Sequence, residues 1–200
     1  GEDILEEEGV KLGIEIIECI NSVNDKMQKR FKTPHNCEQI PAENVSIKLA
    51  QKDRLLGYQD EYELYSNQFI PLIVNADLLD RIKLQGIFDK YFSGGSIMHI
   101  SCDEKLEEIK DMKALIKLCA KQGVIYFAIN YLLRRCKHGH MTVGSDKICP
   151  ICGETITDFY TRVVGFLTNI KNWHKVRREK DAPNRQMYKK RDIGNPEGND

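Results

Sequence analysis

The amino-acid sequence predicts an α/β body that carries a small metal-binding appendage. Three observations predict it. Segments with the apolar period of helices alternate with short apolar runs of strand type. One such run, residues 124–130 (VIYFAIN), is almost continuously apolar, as a strand covered on both faces of a parallel sheet requires. A Cys-Pro-Ile-Cys pair then follows a Cys/His cluster at the spacing of metal ligands.

Residues 5–31 (LEEEGVKLGIEIIECINSVNDKMQKRF) carry the first helical pattern, with Leu12, Ile16, Cys19 and Ile20 on one face. Pro34 and Pro41 break it, and residues 45–56 (VSIKLAQKDRLL) form a second helix. Residues 62–74 (YELYSNQFIPLIV) read as a loop or short strand before a third helical pattern at 77–92 (DLLDRIKLQGIFDKYF). Gly94 and Gly95 make a turn or permit close backbone approach, and a short apolar strand follows. His99, inside that strand, reads as a hydrogen-bonded core histidine rather than a ligand. A fourth helix spans residues 105–123 and stops at Gly123. Only the last dozen residues have the composition of a disordered tail.

The chain has 200 residues, enough for one domain with an appendage. Its 30 Lys/Arg balance 30 Asp/Glu, so no global charge draws it to nucleic acid or a membrane. No apolar run approaches the roughly 20 residues of a transmembrane helix. Charge is unevenly placed, however: residues 171–191 hold nine Lys/Arg against Glu179 and Asp181. With Trp173 and Tyr188 interleaved as anchors, that stretch predicts a protein contact or a solvated end, and no nucleic-acid recognition motif accompanies it. Seven cysteines, an odd number, argue for a reducing, cytoplasmic setting instead of a disulfide framework. Cys19, Cys37 and Cys119 read as small packing residues. The first residue is Gly1, and the chain reads as a processed product or part of a longer polypeptide.

Cys149 and Cys152, two residues apart and followed by Gly153, make one arm of a tetrahedral site. The other arm is Cys136 with His140, separated from Cys149 by eight residues. His138 is the alternative to His140 as the fourth ligand. Four filled positions make the predicted zinc site structural. A redox pair is the competing reading of Cys-x-x-Cys, and the thioredoxin-like context it needs is missing.

Residues 161–167 (TRVVGFL) then place Gly165 inside a bulky apolar run. By itself that glycine reads as a bulge or a close backbone approach in a strand. The surrounding residues say more. Arg162-Val163-Val164-Gly165-Phe166 resembles the R-V-x-G-[YF] signature of glycyl radical enzymes. The stretches EQIPAEN, YELYSNQFIPL, FDKYFSGGSIMHI and GVIYFAIN resemble the C-terminal part of the anaerobic, class III ribonucleotide reductases. In that family a four-ligand zinc site immediately precedes the radical loop.

The resemblance implies the C-terminal part of a glycyl-radical-enzyme α/β barrel, with a small zinc-binding, radical-loop appendage. Residues 1–133 belong to the barrel body, residues 134–157 to the zinc knuckle, and residues 158–200 to the radical loop and tail. It implies a glycyl radical on Gly165, generated by a separate S-adenosylmethionine-dependent iron–sulfur activase, and ribonucleoside triphosphates as substrates. Glu43 is implied as an active-site carboxylate, against a plain reading as a helix N-terminal charge. Ser66 and Asn67 are implied as substrate-pocket residues, against ordinary loop polar residues. The implied partners are the activase, through residues 171–191, and the rest of the reductase or a complementary subunit. Many members of the family use four zinc cysteines, whereas here a histidine replaces one. None of Cys19, Cys37, Cys102 or Cys119 stands in the context of the family's thiyl cysteine, so this chain alone is not expected to turn over nucleotide. Two other readings stay open: an accessory subunit supplying a replacement glycyl radical domain, and a non-catalytic zinc-ribbon interaction module.

Overall fold

The structure is a computed structural model that describes residues 3–40, 42, 44–163 and 165–194. Helix α1 (Glu7–Phe31) opens the chain. It buries Gly9 and Ile17, with Val10 and Ile14 packed alongside, and leaves Leu12, Ile16, Cys19 and Ile20 exposed. The sequence therefore points to the wrong face, and Cys19 is no core residue. The reason is that α1 carries two adjoining apolar stripes, Leu12/Ile16/Ile20/Val23 and Val10/Ile14/Ile17, so periodicity alone does not select which one docks. The close approach of the body does. A Cβ on Gly13 would fall 2.8 Å from the Phe88 ring, so the glycine-bearing side is the one that docks.

Helices α2 (Val45–Leu55) and α3 (Leu78–Asp89) follow, joined by an irregular segment with no strand among its residues. Part of its backbone is satisfied from inside. The buried Arg81 guanidinium on α3 donates to the carbonyls of Ile70 (2.7 Å) and Pro71 (3.1 Å). Cys37 is buried against α3 with Ile70 and Phe88, as a packing residue should be.

Strand β1 (Met98–Cys102), helix α4 (Ile109–Lys121) and strand β2 (Phe127–Tyr131) form a β–α–β unit in which β1 and β2 pair in parallel. Alternation along β1 sends Met98, Ile100 and Cys102 into the main core, with Leu78 and Ile82 of α3 and Leu115 and Cys119 of α4. Helix α4 begins at Ile109, not residue 105. The preceding acidic stretch stays outside it, where Glu104 accepts from the Lys190 N–H (2.7 Å) and Glu108 pairs with the Lys190 ammonium.

The opposite face of the pair carries His99, Ser101 and Asn130, all buried. The Asn130 amide lies 2.8 Å from His99 Nδ1, and burial foremost pushes the imidazole down to about 4. His99 is thus neutral near pH 7 and is the hydrogen-bonded core histidine the sequence predicts. Strand β2 is less covered than expected. Asn130 is its one fully buried residue, and Ile125 and Tyr126 just before it are exposed, because the sheet among the described residues has two strands.

After Leu132 the chain enters an antiparallel sheet of order β4-β3-β5-β6, made of β3 (Leu133–Cys136), β4 (Met141–Val143), β5 (Ile156–Arg162) and β6 (Leu167–Asn169). The basic stretch beyond it is not a free tail. It winds through a 3-10 turn (Ile170–Asn172), a π-helical turn (Arg177–Asp181) and a second 3-10 turn (Ala182–Asn184) back to the body. There the Tyr188 N–H donates to the Ser101 carbonyl (2.8 Å), and Ile193 of α5 (Lys190–Gly194) is fully buried. Trp173 and Tyr188, expected as anchors for a partner, are instead buried in this chain, and the order expected to be lost in the last dozen residues persists through α5. The architecture is mixed α/β. No helix among the described residues is long and apolar enough to cross a membrane.

Candidate metal centre and glycine hairpin

Two tight turns face each other at one end of the antiparallel sheet. In the first, the Gly139 N–H donates to the Cys136 carbonyl (2.9 Å) and the Cys136 N–H to the His140 carbonyl (3.1 Å). In the second, the Gly153 N–H donates to the Cys149 carbonyl (2.9 Å) and the Cys149 N–H to the Glu154 carbonyl (2.8 Å). Gly139 (φ 85°) and Gly153 (φ 74°) are left-handed, and this lets each strand reverse within a few residues of its ligands.

The turns bring together one donor each from Cys136, His140, Cys149 and Cys152, all within 4.8 Å of one another. Cys136 Sγ lies 3.5 Å from His140 Nδ1 and 3.8 Å from Cys152 Sγ, and Cys149 Sγ lies 3.9 Å from His140 Nδ1. A tetrahedral ion bound by thiolates at about 2.3 Å and imidazole at about 2.05 Å has donor–donor edges of roughly 3.5–3.8 Å. The cluster therefore fits a four-coordinate metal ion with no position left over. Burial opposes ionisation of Cys149, but N–H groups of Ile151 and Cys152 aimed at its sulfur outweigh it and bring the thiol down to about 6. His138 is exposed, with its ring centroid 6.4 Å from that of His140, and it is not among the converging donors.

Beneath the donors, Cys136 and Cys149 pack with Ile156 and Phe159 of β5 in a core of their own. Strand β5 runs from this base to Arg162, about 20 Å away at the usual rise of a strand. Asp158, halfway along it, accepts from Arg135 on β3 (2.9 Å), Asn169 on β6 (3.0 Å) and Lys171 (3.1 Å). These partners, Asn169 foremost, hold its carboxyl well below the usual carboxylate range.

Gly165 sits at the exposed bend between β5 and β6. The Val163 N–H donates to the Phe166 carbonyl (3.2 Å), closing a tight turn around it, and the Arg162 guanidinium reaches the Gly165 carbonyl. No described residue other than its chain neighbours lies within 4 Å of where a Cβ on Gly165 would stand. Packing among the described residues gives no reason for a glycine, so the reading as a close approach inside a strand finds no support there. Phe166 beside it is 73% exposed.

Beside the glycine end of the hairpin, away from the metal knuckle, is a cavity of about 370 Å³. Ser66 and Asn67 line it, together with Val163, Arg177, Asp181 and Arg185. The structure thus gathers the two sequence-predicted pocket residues beside the glycine segment. Asn67 Nδ2 is buried and has no partner there, whereas the Ser66 hydroxyl is engaged with the backbone of Gln68. Glu43 lies outside the described residues, as does Val164.

The structure also brings up residues that sequence reasoning passed over. Arg177 and Arg185, counted as part of a basic surface, are buried on either side of Asp181. Their signal was the i, i+4, i+8 spacing Arg-Asp-Arg, the pattern of ion pairs one helical turn apart.

Residues 1–188 match a family model described as anaerobic ribonucleoside-triphosphate reductase. A solved anaerobic ribonucleotide reductase is 38% identical, superposes with a TM-score of 0.82, and is matched over 92% of this chain and 29% of its own. The Thermotoga maritima anaerobic ribonucleotide reductase with glycerol in its active site gives 38% identity and a TM-score of 0.76, over 87% of this chain and 28% of its own. The same enzyme in complex with dATP and CTP gives 38% and 0.74, over 86% and 28%. The chain thus spans less than a third of the length of these relatives. No curated protein matches it. With the match running from the first helix through Tyr188, the chain belongs to the anaerobic ribonucleoside-triphosphate reductase family.

Proposed function

We propose that this chain is the glycyl-radical-bearing portion of an anaerobic ribonucleotide reductase, which converts ribonucleoside triphosphates to deoxyribonucleotides by radical chemistry. One observation carries the reading: a glycine that packing among the described residues does not require stands exposed at a hairpin tip, on a strand rooted in a four-donor metal knuckle. The conformational freedom and open Cα of glycine suit hydrogen-atom abstraction there, and the flanking amides delocalise the unpaired electron. The exposed Phe166 and Leu167 mark the tip as a surface that the rest of the reductase covers.

The metal is zinc, held by Cys136, His140, Cys149 and Cys152, and its role is structural: it supplies the rigid base from which the hairpin projects. Residues 134–157 form that base and residues 158–200 carry the loop and its return, while residues 1–133 contribute to the barrel. Ser66 and Asn67 border the nucleotide pocket, and the unpartnered Asn67 amide is the group with a hydrogen bond to give. Glu43 is the active-site carboxylate. An S-adenosylmethionine-dependent iron–sulfur activase removes the hydrogen atom from Gly165, in the cytoplasm of an anaerobically growing cell.

The reading is tested by oxygen. A carbon-centred backbone radical adds O2, and the resulting peroxyl breaks the chain at that residue. Reductase completed with the remainder of its chain, activated anaerobically and then exposed to air, should give two fragments divided at Gly165 by intact-mass measurement. A chain that turns over nucleotide and stays whole in air overturns the proposal.

A further inference from the structure

The buried ion network beside the glycine end of the hairpin does something that fold stability does not ask for. Asp181 accepts from Arg185 Nε (2.7 Å) and Nη2 (2.8 Å) and from Arg177 Nη1 (2.8 Å), with all three side chains almost wholly buried. Taking three charges out of water is unfavourable unless geometry returns the loss, and an apolar trio of similar volume stabilises a core as well or better. What the network provides is direction. Arg185 Nη1 donates to the Arg162 carbonyl (2.7 Å) and Nη2 to the Val163 carbonyl (2.8 Å), the last two described carbonyls before the glycine.

The return arm is tied to the same post. Arg185 stacks over the Trp173 ring at 4.8 Å, and Trp173 Nε1 donates to Thr168 Oγ1 on β6 (2.8 Å). On the far side, Arg177 Nη2 donates to Ser46 Oγ in the first turn of α2 (2.8 Å). Both arms of the hairpin are thereby fixed to helix α2 through one carboxylate and two guanidiniums. The planar fork of Arg185 reads two successive carbonyls at once, which a lysine ammonium cannot do.

We propose that Arg185, held in place by Asp181 and Arg177, is a positioning residue that latches the glycine hairpin in its seated state, and that its two bonds to the carbonyls of Arg162 and Val163 must open when the hairpin leaves for activation. The latch rests on the proposed role of Gly165. Hydrogen-atom exchange with a partner cysteine tolerates little misplacement, whereas the activase needs the same residue exposed. A charge-assisted pair of bonds to the backbone satisfies the first demand and sets the threshold for the second.

The test uses the completed reductase carrying Arg185→Gln. Amides of residues 162–168 should exchange with deuterium roughly tenfold faster or more in the unactivated enzyme, the effect of losing bonds to a charged donor, while bound metal and exchange in β3 stay at wild-type values. Radical formation by the activase should speed up, and turnover per radical should fall. A merely structural role lowers both. Arg185→Lys, which keeps the charge and one bond, should lie between wild type and Gln, and it carries the same measurement if Gln does not fold. Unchanged hairpin exchange in these variants overturns the latch. Absence of any radical on Gly165 in wild-type enzyme overturns the functional reading instead, and the exchange result still decides the latch.

Discussion

Gly165→Ala in the completed reductase is expected to keep the fold and the metal and to lose deoxynucleotide formation altogether. The structural half follows from the open bend: no described residue beyond the chain neighbours comes within 4 Å of the new methyl, and the site is exposed. Such a substitution changes stability by about 1 kcal/mol or less, a shift of only a few degrees in Tm. The functional half follows from the proposed chemistry. A methyl on Cα obstructs approach from the activase and from the partner cysteine, and it removes one of the two hydrogens. The expected rate is that of the uncatalysed background, checked by anaerobic assay of deoxynucleotide beside a thermal melt. An alanine variant that unfolds early says that the glycine is structural, and one that still reduces ribonucleotides removes the radical from this residue.

Cys149→Ser should be the most damaging change at the base of the hairpin. Cys149 is 1% exposed and shares its small core with Cys136, Ile156 and Phe159, too few apolar groups to hold two turns and three strand ends together. The proposed zinc ion would supply the missing cohesion, since binding a structural zinc ion releases roughly 10–16 kcal/mol of apparent free energy at neutral pH. Loss of one buried thiolate should drop bound zinc well below half an equivalent and raise deuterium exchange across residues 136–156. His140→Ala should do the same to a lesser degree. His138→Ala should retain metal, because that ring stands exposed outside the converging donors. Metal retained without His140 and lost without His138 would reverse the ligand assignment.

Much of this chain is legible before it folds, for identifiable reasons. Cys136, His140, Cys149 and Cys152 converge because their spacing leaves two short turns little choice, and glycines at 139 and 153 allow those turns. Helix α3 and strand β1 announce themselves through period and flanking residues. Helix α1 is legible as a helix but not in its orientation, since it carries two adjoining apolar stripes and a contact with Phe88 selects between them. The C-terminal stretch misleads most. Composition there shows nine cations, and only the three-dimensional return of the chain reveals that two of them, Arg177 and Arg185, neutralise Asp181 inside the body. A charge count has no term for burial. The same limit explains Trp173 and Tyr188, whose aromatic surface suits a partner as well as it suits a core.

The central claim is that Gly165 carries an organic radical in the working enzyme, and electron paramagnetic resonance tests it most directly. The completed reductase, treated anaerobically with its activase, reductant and S-adenosylmethionine, should show a signal dominated by one large splitting from the remaining α-hydrogen. Enzyme prepared with α-deuterated glycine should lose that splitting, and Gly165→Ala should show no signal. A radical that keeps its splitting after deuteration, or that survives in the alanine variant, would contradict the account.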